Sequence, residues 1–190
     1  MTFSTRAAAT ALTGLVIFGC ASAAFATTEK EYLISRTYAA HIELVKAVED
    51  AGVNVVFNHP VCQEVAGING FYAGKERLLA VCNDRYIPRL NEDPDWTAND
   101  FDTLRHETQH FIQDCMNGSN HDNLLESVYV EPTAMARMVL GDKVVDGITR
   151  SYRSRTASNH MIRMEHEAFA VARMNVPGEQ IEDIKKYCTG

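Results

Sequence analysis

His106 and His110 stand four residues apart around Glu107, inside a stretch from Ala98 to Met116 whose apolar residues recur with a helical period. On a helix this spacing stacks both imidazoles on one face, one turn apart, where they can reach a single ion. At about 100° per residue, Phe101, Leu104, Phe111, Ile112 and Cys115 gather on one side and the two histidines fall near the other. The segment must therefore bury its back in a core and present its front to a cleft. Thr97 with Asp100 predicts a capping box that starts this helix near Ala98, and Gly118 stands just beyond its predicted end.

The flanking chain reads as the remainder of an α+β fold. Residues 28–51 keep a helical apolar period up to Gly52, and Val53–Phe57, Gly70–Gly74 and Arg77–Cys82 predict two or three short strands of one small sheet. Residues 91–102 hold five acids (Glu92, Asp93, Asp95, Asp100 and Asp102) with Pro94 and no base, a solvated loop leading into the motif helix. Helices are expected at 122–129, 132–140, 143–153, 158–174 and 179–187. The sheet and first helix are expected to cover the back of the motif helix, while the helical C-terminal half closes the other side. At 190 residues and 46% apolar composition, one core and one domain, residues 27–190, suffice.

Residues 1–26 contain one base, Arg6, and no acid, then an apolar run from Ala7 to Gly19 and small-x-small sites ending at Ala24 and Ala26. They predict a signal peptide cleaved after Ala26, leaving no stable membrane span and a secreted or periplasmic protein. The alternative is a lipid anchor on Cys20, since Ile17-Phe18-Gly19-Cys20 loosely resembles a lipobox. Net charge is −7, and losing Arg6 leaves 17 bases against 25 acids, or −8, which argues against a nucleic-acid partner. Cys62, Cys82, Cys115 and Cys188 remain, an even count suited to an oxidising compartment, and the favoured pairing is Cys62 with Cys82 and Cys115 with Cys188. No CxxC spacing offers a thiolate metal site.

Two imidazoles four apart on a helix suit zinc, one ion per chain, with an open position for water and Glu107 placed to accept that water's proton. The expected third ligand is Glu165, because Met161, Ile162, Ala168, Phe169 and Ala172 all fall within about 60° of it on a helix. A carboxylate on an apolar face needs a partner, and a cation held by two histidines would relieve its burial. Glu167 is the second candidate; it falls on the other side with Arg163, Ala170 and Met174, where an exposed salt bridge accounts for it. His160 and His166 read as structural, and Glu126 and Glu131 as weaker candidates. The segment from Leu78 to Cys82 is a candidate sheet edge for an extended peptide.

Strands, then a helix bearing His106-Glu107-x-x-His110, then Glu165 on a later helix, resemble the gluzincin group of zincin metallopeptidases over about residues 53–172. Glu165-His166-Glu167-Ala168 matches the E-x-x-A motif that carries the third ligand in several of these families. The resemblance implies that His106, His110 and Glu165 bind zinc, that Glu107 is catalytic, and that the reaction is hydrolysis of a peptide or protein substrate. Phe169 departs from the Asp that follows the Ala in some of them. The metzincin pattern is absent, because Gln113 and Met116 stand where it requires Gly and His; the deformylase type fits poorly, being cytoplasmic and using a cysteine ligand. Tyr129, Tyr152, His160 and Arg155 all remain open as the oxyanion-stabilising group, although a solvated helix face accounts for Arg150, Arg153 and Arg155. Two other readings stand beside this one: a secreted, disulfide-stabilised binding or structural domain with a non-catalytic zinc site, and a zinc hydrolase of non-protein amides. Oligomeric state and cleavage specificity leave no signature in the sequence.

Overall fold

A computed structural model of the chain describes residues 38–83, 96–118 and 124–188. The predicted signal peptide, Cys20 and the acids Glu92, Asp93 and Asp95 lie outside the described residues. The chain divides into two units, Met1–Ala39 and Ala40–Gly190; of the first, only residues 38 and 39 are described, both helical.

The architecture is α+β. Helix α1 is described over residues 38–50 and ends at Gly52, whose φ of +91° only glycine adopts at little cost. Strand β1 (Asn54–Phe57), a single helical turn α2 (Val61–Glu64), β2 (Gly70–Ala73) and β3 (Leu78–Val81) follow. The helical half then comprises α3 (Ala98–Cys115), α4 (Pro132–Leu140), α5 (Asp142–Ser154), α6 (Asn159–Met174) and α7 (Pro177–Tyr187). The strand order is β1-β3-β2, with β1 parallel to β3 and β2 antiparallel to it, Gly70 opposite Val81 and Ala73 opposite Leu78.

That order corrects one expectation. Leu78–Val81 forms the central strand, so its backbone groups are spent on two neighbours, and β2 is an edge strand instead. Strand β2 also lies against α3: a Cβ on Gly70 would come within 2.6 Å of Thr103 Cγ2 and 3.2 Å of Glu107 Cγ, and the Tyr72 hydroxyl donates to Asp114 Oδ2 at 2.7 Å.

The predicted capping box of α3 is present. Asp100 N–H donates to Thr97 Oγ1, and Thr97 N–H donates to Asp100 Oδ2 at 2.6 Å, satisfying two of the donors a helix start leaves open. The apolar back of α3, through Leu104, Phe111, Ile112 and Cys115, joins Leu44 and Val48 of α1, Val55 of β1, and Leu79 and Val81 of β3 in the main core. Ile184 and Cys188 belong to the same core, so α7 packs on the back of α3 rather than closing its front. The front is covered by α6, which also packs against α4 and α5 around a second cluster of Met135, Ala136, Val145, Ala170 and Val171.

A helix at 122–129 does not form in the described part, since residues 124–131 are irregular. The backbone there is satisfied from outside: Glu126 N–H donates to the Gln113 carbonyl, and the N–H groups of Val128 and Tyr129 donate to the Glu167 carboxylate. Groups paired in this way have no need of helical bonds.

Both disulfides form with the expected pairing. Cys62–Cys82 joins α2 to the end of β3, and Cys115–Cys188 joins the last residue of α3 to the end of α7. They close 20 and 73 residues, for which chain entropy gives about 3 and about 4 kcal/mol of stabilisation respectively. Urea unfolding of Cys62→Ala/Cys82→Ala and Cys115→Ala/Cys188→Ala proteins is therefore expected to show losses of that order, larger for the second pair. Equal stability of the native and Cys115→Ala/Cys188→Ala proteins would contradict this account.

Candidate metal centre

Helices α3 and α6 cross so that three acceptor atoms converge. His106 Nε2 lies 3.1 Å from His110 Nε2, and Glu165 Oε2 lies 3.3 Å from the first and 3.5 Å from the second. The Glu107 carboxylate completes the group, with one of its oxygens and a ring nitrogen of each histidine all within 4.8 Å of one another. His106, Glu107 and His110 form a possible metal-binding group, and Glu165 closes on it from the facing helix.

The tautomer of His110 follows from its neighbours. Gln113 Nε2 donates to Glu167 Oε1 and to the Met164 carbonyl, which orients the amide so that Gln113 Oε1 faces His110 Nδ1 at 2.8 Å. His110 Nδ1 must then carry the proton, and in the neutral ring Nε2 presents a lone pair to the converging atoms. His106 is held by packing instead. The ring of Phe169 lies edge-on at 4.4 Å between centroids, and among the described residues Nδ1 of His106 has no hydrogen-bond partner.

Do these atoms fit a cation? Glu165 Oε2 is buried against the two imidazole nitrogens, so its negative charge calls for a proton or a cation shared with them. A tetrahedral ion with bonds of about 2.0–2.1 Å separates its ligands by about 3.3–3.4 Å, and the three edges observed here, 3.1, 3.3 and 3.5 Å, bracket that value. The bare set attracts a proton for the same reason. Burial disfavours a charged His110, but the charge of Glu165 and its hydrogen bond outweigh this and push the imidazole up to about 9. Burial likewise opposes an ionised Glu165, yet the facing His110 and His106 hold it well below the usual carboxylate range. Glu107 is raised, mainly by burial, with the two imidazoles and a backbone hydrogen bond from Tyr72 offsetting part of the rise.

Glu167 is not the surface residue its helical position suggested. It is fully buried, and its two oxygens accept from Gln109 Nε2 (2.9 Å), Gln113 Nε2 (3.0 Å), Val128 N–H, Tyr129 N–H and Ser127 Oγ. Arg163 and Met174 of that expected face are exposed, but Glu167 and Ala170 are not, because α6 packs against α3, α4 and α5 and the segment 127–129 reaches the Glu167 carboxylate. Glu167 therefore supports the site through Gln113 rather than joining it. The two other histidines are structural: His160 Nε2 donates to the Leu125 carbonyl at 2.7 Å, and His166 sits between the hydroxyls of Thr133 and Thr149. Glu131 occupies the N-cap position of α4 without a side-chain capping bond, and Glu126 borders a separate surface hollow with Tyr129 and His160.

Two cavities meet at this group and share His106, Glu107 and Tyr152. One, about 310 Å³, runs along β2 past Phe71, Tyr72 and Ala73. The other, about 450 Å³, lies between Gly67–Asn69 and the ends of α5 and α6. Of the four candidates for stabilising an oxyanion, Tyr152 and Arg155 line the cleft, whereas Tyr129 and His160 do not.

The role of Gln113 was absent from the reading of the sequence, although Gln113 falls within about 20° of His106 on the helix, three residues beyond His110. Because an imidazole's outer partner fixes how its other nitrogen meets a metal, Gln113→Met is expected to weaken metal binding about 10- to 100-fold. Competition with a chelating dye measures this directly, and an unchanged affinity would remove Gln113 from the site.

No curated protein and no solved structure matches the chain. A family model does match, over residues 31–189, a span that holds both disulfides, all of the converging side chains and both cavities. The chain thus belongs to the family described as a domain of unknown function, DUF8637.

Proposed function

We propose that this protein is a zinc metallopeptidase, exported to an oxidising compartment, with His106, His110 and Glu165 as metal ligands and Glu107 as general base. The observation that carries the proposal is the convergence of two imidazole nitrogens and a buried carboxylate oxygen on one point beside a second carboxylate. Zinc is the ion such a nitrogen and oxygen set suits, with one position left open. Its resemblance to the gluzincin pattern and the two disulfides support the same reading.

A bound zinc ion supplies Lewis acidity, polarising a scissile carbonyl and acidifying water. The chain's own groups do the remainder. Glu107, with a carboxyl raised by burial, takes the proton of the attacking water and returns it to the leaving amine. Tyr152 lines both cavities, and burial together with the nearby Glu165 raises its phenol, which stays protonated and able to donate to the oxyanion. Strand β2, at the edge of the sheet among the described residues, runs along one cavity where an extended peptide would lie.

Elemental analysis of the purified chain, dialysed against a mild chelator, is expected to find one zinc ion in the wild type and none in His110→Ala or Glu165→Ala. Loss in His110→Ala alone would remove Glu165 from the ligand set, and a metal-free wild type would sink the proposal. Glu107→Gln is expected to keep zinc and fold while lowering kcat on a mixed-peptide substrate about 10²- to 10⁴-fold. If the wild type holds zinc but cuts no peptide, the site is structural or serves another amide.

A further inference from the structure

The two cavities that meet at His106 and Glu107 differ in charge. The one along β2 contains no Lys or Arg among its lining residues. The other contains Arg155 and Arg173, at the ends of α5 and α6. Both side chains are exposed, and among the described residues neither makes an ion pair with Asp or Glu. This is uncommon company in a chain of net charge −7. The acid that does line the same cavity near them, Asp102, is already held by Arg105. The remaining carboxylate there, Glu107, belongs to the proposed chemistry. Both arginines thus line the cleft without an acidic partner among the described residues, Arg155 lying over the Tyr152 ring at 5.9 Å from its centroid.

A helix C-terminus favours a nearby cation, which accounts for a basic residue at either position. It does not account for both lining one cavity that opens onto the same two catalytic-site residues. A planar guanidinium is suited to a carboxylate, which it can grip through two parallel hydrogen bonds. We propose that Arg155 and Arg173 form a specificity site for a substrate carboxylate, and that it lies on one side of the scissile bond only. The proposal rests on the peptidase reading for the word substrate, while the binding itself does not.

The two are separable by experiment. Zinc-loaded Glu107→Gln protein, full chain, is titrated with three fluorescent random decapeptide pools: one with a central Glu and an amidated C-terminus, one with a central Gln and a free C-terminal carboxylate, and one with a central Gln and an amidated C-terminus. Tighter binding of the first pool than of the third, roughly fivefold to tenfold for exposed Arg–carboxylate pairs, identifies a side-chain carboxylate; tighter binding of the second identifies the peptide terminus. Either preference should shrink in high salt and fall to near unity in Arg155→Gln/Arg173→Gln, with the zinc content of that variant unchanged. Equal binding of all three pools, or a preference that survives the double substitution, overturns the proposal. In the wild type, cut sites mapped by mass spectrometry should place acids or the chain end on one side of the cut; a symmetrical distribution counts against it. Absence of any cut would remove the peptidase reading and leave the binding result to stand or fall by itself.

Discussion

A single buried carboxylate organises the front of α3. Among the described residues, Glu167 makes no ion pair and is held by five hydrogen-bond donors, three from side chains and two from backbone. Removing an anion's water is expensive unless each lost hydrogen bond is replaced, and here the replacements come from two separate pieces of chain. Gln109 and Gln113 come from α3, while Ser127, Val128 and Tyr129 come from the irregular segment before α4. The carboxylate can be buried only when both pieces are assembled against α6, so it sets the distance and register between α6 and α3. Glu165 is two residues away on the same helix, and its approach to His106 and His110 follows from that register.

The other side of α3 is fixed by packing. Its apolar back enters the main core, and β2 comes so close at Gly70 that a single added methyl group would strike the Ala80 carbonyl and Thr103. The histidines and Glu107 are thus held between a sheet edge and a helix, each of which brings a cavity to the same point. On the proposed reading, the cavity along β2 would hold peptide backbone and the one beside the ends of α5 and α6 would read charge. Neither element alone makes a groove.

Periodicity made much of this legible. The capping box, the span of α3, the three strands and both disulfide pairings could all be read because each depends on local spacing or on a few possible combinations. Glu165 was legible too, since five apolar neighbours on one helical face mark its carboxylate as buried. Glu167 was not, because a helical wheel assumes one buried face, and α6 packs against neighbours on more than one side while Arg163 and Met174 stay exposed. The same assumption hid the part played by Gln113: a polar residue near the histidines on the wheel gives no sign of which partner will orient it. The strand order lay beyond sequence reasoning as well. Nothing in Leu78–Val81 distinguishes a central strand from an edge, since both faces of β3 offer apolar side chains to a core. Residues 124–131 failed for a related reason, as their backbone is satisfied by Glu167 and Gln113 from elements remote in sequence.

Helix α3 is tied down at both ends, by its capping box at Thr97 and by Cys115–Cys188 at its last turn. Between those ties, the carboxylate of Glu167 and the core leave the helix no freedom to slide or rotate. Small metal domains commonly gain their fold from the ion they take up. On the proposed reading, a disulfide and one buried acid would instead hold the donor atoms in register without relying on an ion. A metal bound there would complete a frame that covalent and packing ties have already set, so loss of the ion would be expected to empty the site rather than unfold the domain.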